Sequence, residues 1–183
     1  MEETISLKDI ILTIKKRLSL IITIPIIAVV VSALVTYLLL TPIYQSSTQI
    51  LVNHTNSDQQ VSQNEIRTNL ELINTYTEII RNPIILDKVI EEANLTESFG
   101  TLTNMISVNP QNNSQVVRIT VEHEQPAHAA LIANTVAEVF QREIVEIMNV
   151  DNVHILSYAV VGDSPSPVAP NPTLNMAIAS LSV

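Results

Sequence analysis

A run of 23 residues from Leu18 to Leu40 carries no charge and a single proline, Pro25. At ~1.5 Å rise per residue a helix over this run reaches roughly 35 Å, enough to cross a hydrocarbon core of about 30 Å with some tilt. The run reads as a transmembrane helix. Lys15, Lys16 and Arg17 abut its start, so the excess of basic residues on the inner side places the N-terminus in the cytoplasm and the chain after Thr41 outside. A cleaved signal peptide is disfavoured, since its apolar core would hold about 7–15 residues before a small-residue cleavage site. This run is longer and leaves through Leu38-Leu39-Leu40-Thr41-Pro42.

Charge divides at the same place. The first 17 residues hold four basic and three acidic residues, whereas residues 41–172 hold five basic and fifteen acidic ones, a net charge of −10. Such a segment repels nucleic acid and anionic lipid alike. The composition removes further classes of function. With no Cys there is no disulfide framework, thiolate metal site or Cys nucleophile. Only two glycines occur, Gly100 and Gly162, so the Gly-rich phosphate loops of nucleotide-binding enzymes are excluded. No cofactor is expected.

The C-terminal part has its own pattern. Ser164 to Pro172 holds four of the nine prolines and precedes the apolar run Met176–Val183. Eight residues do not span a bilayer. An extended proline segment ahead of them suits a spacer between an outer domain and the membrane, so they are expected to start a second transmembrane helix that is incomplete here. The expected organisation is a cytoplasmic segment over 1–17, a membrane helix over 18–40, an outer domain over 41–163, a proline-rich linker over 164–175 and the start of a second membrane helix over 176–183.

Within the outer domain, Tyr44–Val52 is rich in β-formers and predicts a strand leaving the membrane directly. Ser62-Gln-Asn-Glu65 is a capping box, flanked by Val61 and Ile66 as a hydrophobic staple. Ile66, Leu70, Ile73, Tyr76 and Ile80 then recur every three or four residues, one stripe of an amphipathic helix ending near Arg81. Asn82-Pro83 supplies a cap and a first-turn proline for a second helix over Ile84–Ala93. Strands are expected over Met105–Val108 and Val116–Glu122, joined by a hairpin or looser loop. Pro126 opens a long helix to about Asn149, directing Ala129, Ile132, Val136, Val139, Phe140, Ile144 and Ile147 to a core, with Glu138 and Arg142 paired on its wet side. A last strand covers Asn152–Val161. The fold class is therefore α+β: a split β-α-β arrangement with a mainly antiparallel sheet and helices on one face.

The search for chemistry mostly returns exclusions. His123-Glu-Gln-Pro-Ala-His128 differs from a zinc protease motif, which needs two His four apart on one helix; here the spacing is five and Pro126 intervenes. His54 and His154 are expected at the surface or a sheet edge. Glu91-Glu92 and Glu122/Glu124 read as solvated faces rather than a glycosidase pair. Asn53, Asn94 and Asn112 each begin a glycosylation sequon, a frequent chance pattern. Arg67, Arg81, Lys88, Arg118 and Arg142 are the outside cations; they could grip an anionic polymer, but partnering nearby acids is the simpler role. No catalytic residue and no metal ligand set is expected. Without Trp and with few Tyr, an aromatic sugar-stacking cleft is not expected either.

Several segments together carry a resemblance. They are Thr41-Pro42-Ile-Tyr44 entering Thr48–Val52, Asn74-Thr-Tyr76, Asn82-Pro83 through Val89, Ala130-Leu-Ile-Ala-Asn134, Asn152–Leu156, and the proline segment with Pro167 and Pro170. In this order, framed by two membrane segments, they resemble the Wzz polysaccharide co-polymerases, and within them the Gram-positive capsule proteins of the staphylococcal CapA type. The resemblance covers the whole chain. It implies a non-enzymatic protein of the bacterial plasma membrane that assembles with copies of itself. Such a protein governs the length or export of a capsular or exopolysaccharide and modulates a cytoplasmic tyrosine kinase. Partners so implied are the kinase, through a tail after the second helix, and the polymerase and export machinery. The competing reading is a membrane-anchored sensor or adhesion domain with no role in polymer synthesis.

Overall fold

The computed structural model describes residues 7–53, 63–111 and 114–181, with side chains over 15–53, 72–111 and 114–181. In chain order the elements are α1 (Leu7–Leu38), β1 (Tyr44–Val52), α2 (Gln63–Ile80), α3 (Pro83–Glu92), α4 (Phe99–Met105), β2 (Ile106–Pro110), β3 (Val116–His123), α5 (Pro126–Met148), β4 (Val153–Ser157) and α6 (Pro172–Leu181). They form two compact units: 43–168, and 1–42 with 169–183.

In the first unit the strands lie in the order β2-β3-β1-β4, every neighbouring pair antiparallel. Since β3 runs against both β1 and β2, those two are parallel with β3 between them, which is the split β-α-β arrangement expected from the sequence. Alternation decides the faces. Ser46, Thr48, Ile50 and Val52 of β1 are buried on the same face as Val117, Ile119 and Val121 of β3. The other face is polar, carrying Ser47, Gln49, Arg118 and Thr120 on the two central strands.

α5 packs on β1 and β3, and α3 packs on α5. Ala129, Ile132, Val136, Val139, Phe140 and Ile144 are buried as their spacing predicts, as are Ile73, Tyr76 and Ile80 of α2. Ile147 does not join them: it is 40 % exposed, one turn from the helix end at Asn149, whose φ of 54° stops α5 in the left-handed region. Ile66, Leu70 and the capping box lie outside the residues with described side chains. Tyr76 and Phe140 meet edge-on, their ring centroids 5.8 Å apart, and Asn152 Nδ2 donates to the Tyr76 hydroxyl at 3.0 Å. The buried Tyr76 hydroxyl is thereby satisfied.

Three expectations are corrected. The final strand stops at Ser157 rather than Val161, because its pairing with β1 slips by one residue between Gln49 and Ile50. The extra residue is Leu156, 56 % exposed, a bulge that bends β4 out of the ladder. Thr48 Oγ1, buried beneath, donates to Ser157 O at 2.6 Å and closes the bulge. A helix appears where none was expected: α4 is capped by Ser98, whose Oγ accepts the Thr101 N–H at 3.3 Å. Finally, Arg142 does not serve Glu138; it reaches Glu92 on α3 and Glu143 beside it.

In the second unit α1 begins at Leu7 and ends at Leu38, so the helix extends well before the apolar run and stops two residues short of its end. Lys15–Leu38 is long and apolar enough to cross a membrane, and its most apolar stretch is not buried inside the protein. Pro25 is accommodated within it. α6 begins at Pro172, four residues before the apolar run, with Asn171 Oδ1 accepting the Leu174 N–H at 3.4 Å.

Candidate functional site

A cleft of about 720 Å3 in the 43–168 unit opens where β3 turns into α5. It is lined by Ile43, by Glu97 before α4, by Thr101, Asn104 and Met105 of α4, and by Glu122 to Gln125 with His128. The short β3–α5 turn folds the His123–His128 segment back on itself, so residues five apart in sequence place their rings 5.2 Å apart. His123 Nδ1 accepts the Gln125 N–H at 2.9 Å. An imidazole that accepts at Nδ1 carries its proton at Nε2 when neutral, and that nitrogen faces Glu97 Oε1 at 3.4 Å. The Glu97 carboxyl is held below its ordinary value, first by its own backbone N–H and then by His123, against the opposing effect of burial.

This arrangement limits the chemistry. Both nitrogens of His123 are engaged, so it is not poised as a base, and Glu97 is spent on it. Glu122 and Glu124 are exposed. Among the described residues no group of three His, Cys, Asp or Glu converges as a metal would require. Among the described residues the cleft brings together no nucleophile, base and orienting group.

Of the described cations outside the apolar run, two meet at one carboxylate. Lys88 of α3 and Arg142 of α5 both pair with Glu143, which is 6 % exposed. The Glu143 carboxyl is held below its ordinary value, first by its hydrogen bond to Lys88 and then by Arg142, burial opposing. Arg142 is held above the usual guanidinium value, chiefly by its hydrogen bond to Glu92, with Glu143 adding to it. These three residues lock α3 to α5. Arg118 stands on the open sheet face opposite Gln49 and Asn109, with Nε buried and unpartnered among the described atoms. Arg81 is exposed just after α2, and the Arg67 side chain lies outside the description.

The residues behind the family resemblance have structural work. Asn134 Oδ1 accepts the Ala159 N–H at 2.7 Å and its Nδ2 donates to Ala159 O at 3.0 Å, replacing a strand partner for the chain that has just left the sheet. Asn82 caps α3, accepting the Ile84 N–H at 3.1 Å ahead of Pro83. Tyr44 opens β1 opposite His123, and Val168 N donates to Ile43 O at 2.8 Å, so the two ends of the 43–168 unit are tied together. Pro42 immediately precedes this point, and Pro167 and Pro170 flank the returning segment. Glu97 and Glu143 escaped the sequence reading because their partners lie 26 and 55 residues away.

Residues 3–93 match the family model described as Wzz, chain length determinant protein. The chain is 50 % identical, over 98 % of its own length and 73 % of the relative's, to the probable capsular polysaccharide biosynthesis protein YwqC of Bacillus subtilis. It is 40 % identical to the capsular polysaccharide biosynthesis protein CapA of Staphylococcus aureus, over 97 % of this chain and 80 % of that one.

Proposed function

Because this chain belongs to the Wzz chain length determinant family, we propose that it is a non-catalytic membrane co-polymerase. In this role it regulates the chain length or export of a capsular or exopolysaccharide and modulates a cognate cytoplasmic tyrosine kinase. The observation that carries the reading is similarity along nearly the whole chain to capsular polysaccharide biosynthesis proteins. The apolar helix α1 supports a membrane anchor. Lys15, Lys16 and Arg17 at its start favour a cytoplasmic N-terminus, which puts residues 43–168 outside the plasma membrane. α6 is the start of a second span returning towards the cytoplasm, so the kinase and the polymer lie on opposite sides of the bilayer.

The absence of Gly-rich phosphate loops means that phosphorylation belongs to the partner kinase. Contact with polymer and with the polymerase is polar and multiplied by homo-oligomerisation rather than strong at one cleft. Of the cations, Arg118 and Arg81 suit such contact better than Lys88 and Arg142, which are held by acids. Deleting the gene in its host and sizing the surface polysaccharide on a gel tests the reading. A shifted length distribution or amount is expected; an unchanged one rejects it. Co-expression with the host's tyrosine kinase, read as kinase autophosphorylation, tests the second half separately.

A further inference from the structure

Ala28, Ser32 and Thr36 recur every fourth residue on α1, with Ala33 beside them. Residues one helical step apart share a face, so these form one stripe of small side chains. The exposures follow the stripe: Ala28, Ser32 and Ala33 are half-buried and Thr36 is 4 % exposed, while Val31, Leu34 and Tyr37 are 53 %, 53 % and 69 % exposed. What covers the stripe is α6. Its half-buried residues, Pro172, Asn175, Met176 and Ala179, share a face in turn, while Leu174, Ile178 and Leu181 stay exposed. Asn175 Nδ2 donates to Thr36 Oγ1 at 3.3 Å. Thr36 lies in the last turn of α1 and Asn175 in the first turn of α6, so the rest of α6 meets α1 only by running back along it.

We propose that the Ala28/Ser32/Thr36 stripe is the seat of the second membrane helix and that the Asn175–Thr36 hydrogen bond sets the register of the pair. The inference rests on the two-span reading above. In hydrocarbon, helices attract through close packing of small residues and through interhelical hydrogen bonds, because lipid tails are as apolar as Leu. A stripe that repeats every four residues tolerates a slip of one turn. A slip that carries Asn175 past Thr36 towards the end of α1 leaves the carboxamide unpaired in lipid, whereas the opposite slip exchanges the Thr36 hydroxyl for that of Ser32, so the clasp selects against the first. Any axial shift of one helix is then imposed on the other.

The chain has no cysteine, which makes cross-linking unambiguous. One turn below the clasp, Ala179 stands opposite Ser32 in antiparallel register. The full chain carrying Ser32→Cys and Ala179→Cys is expected to form an intramolecular disulfide in native membranes under mild oxidant. Thr36→Val and Asn175→Leu are each expected to slow its formation about three- to tenfold, the range that interhelical hydrogen bonds supply. Thr36→Ser should restore it, and the double variant should be no worse than either single one. Ala33→Leu should slow it by bulk alone. Unchanged formation in Thr36→Val and Asn175→Leu overturns the clasp, and unchanged formation in Ala33→Leu overturns the seat. Labelling with a membrane-impermeant thiol reagent separates these from the reading beneath them. If Ala179→Cys labels as fast as Val160→Cys, the segment is outside the membrane and the two-span reading falls. If it is protected and no disulfide forms, only the pairing falls.

Discussion

Among the described residues α1 and α5 are the two longest helices, of 32 and 23 residues, and both are rich in Ile, Val, Leu and Ala. They use that content in opposite ways. Ile132, Val136, Val139, Phe140 and Ile144 of α5 are wholly buried under the sheet, while Glu138, Arg142 and Glu146 take the wet side. α1 leaves Ile26, Val30 and Leu34 more than half exposed, and no charge interrupts Leu18–Leu38. Apolar content alone does not separate the two. A helix with charges on one side has water on that side, whereas one without any has a nonaqueous surrounding all round.

The sharpest way to break this contrast is to cut each helix where it is most committed. Phe140→Ala removes the ring that Tyr76 meets edge-on and is expected to cost about 3–5 kcal/mol of stability. Thermal unfolding in detergent reads the loss, and membrane fractionation should stay unchanged. Val30→Arg should do the reverse. An Arg near the centre of the apolar run costs about 2.5–3.5 kcal/mol on insertion scales, so membrane association should fall while the near-UV signature of residues 43–168 persists. Unfolding of residues 43–168 in Val30→Arg would contradict the contrast between the two helices.

Smaller changes sharpen the picture. Asn134→Ala strips both hydrogen bonds from the Ala159 backbone, which is 7 % exposed, and should cost about 1–3 kcal/mol. Faster hydrogen exchange at Ala159, with α1 unaffected, is the local signature. Glu143→Gln should cost about 1 kcal/mol at neutral pH, discounted because Lys88 and Arg142 are 43 % and 51 % exposed. The sign is fixed by the direction of the shift. A carboxyl held below 4.5 in the folded state adds stability above the unfolded value and loses it as the pH falls through the folded one. Unfolding followed from neutral pH to about pH 3 should therefore bring the Glu143→Gln and parent curves together; a constant offset would contradict the ion pair.

Much of the architecture was legible in the chain because it is written in short-range patterns. β1 runs over the nine residues that its composition marked, and Asn82-Pro83 caps α3 as such a pair must. The buried stripe of α5 matches its period until the last turn, where proximity to the helix end lets Ile147 fray towards solvent. α4 stayed hidden because seven residues containing Gly100 and two Thr carry too little periodicity to stand out. The His123 and His128 rings come together because a turn, unlike a helix, imposes no fixed spacing.

By itself the sequence determined where the long apolar helix runs, the order of the strands and the longer helices, and which side of α5 is apolar, since these depend on neighbours a few residues away. Only the tertiary structure decided that Leu156 bulges out of the ladder, that Arg142 answers to α3 rather than to Glu138, and that Thr36 faces Asn175. Those outcomes depend on which of several chemically equivalent partners is brought within about 3 Å. That choice is made by packing across the fold, and Thr36 and Asn175 are 139 residues apart in the chain.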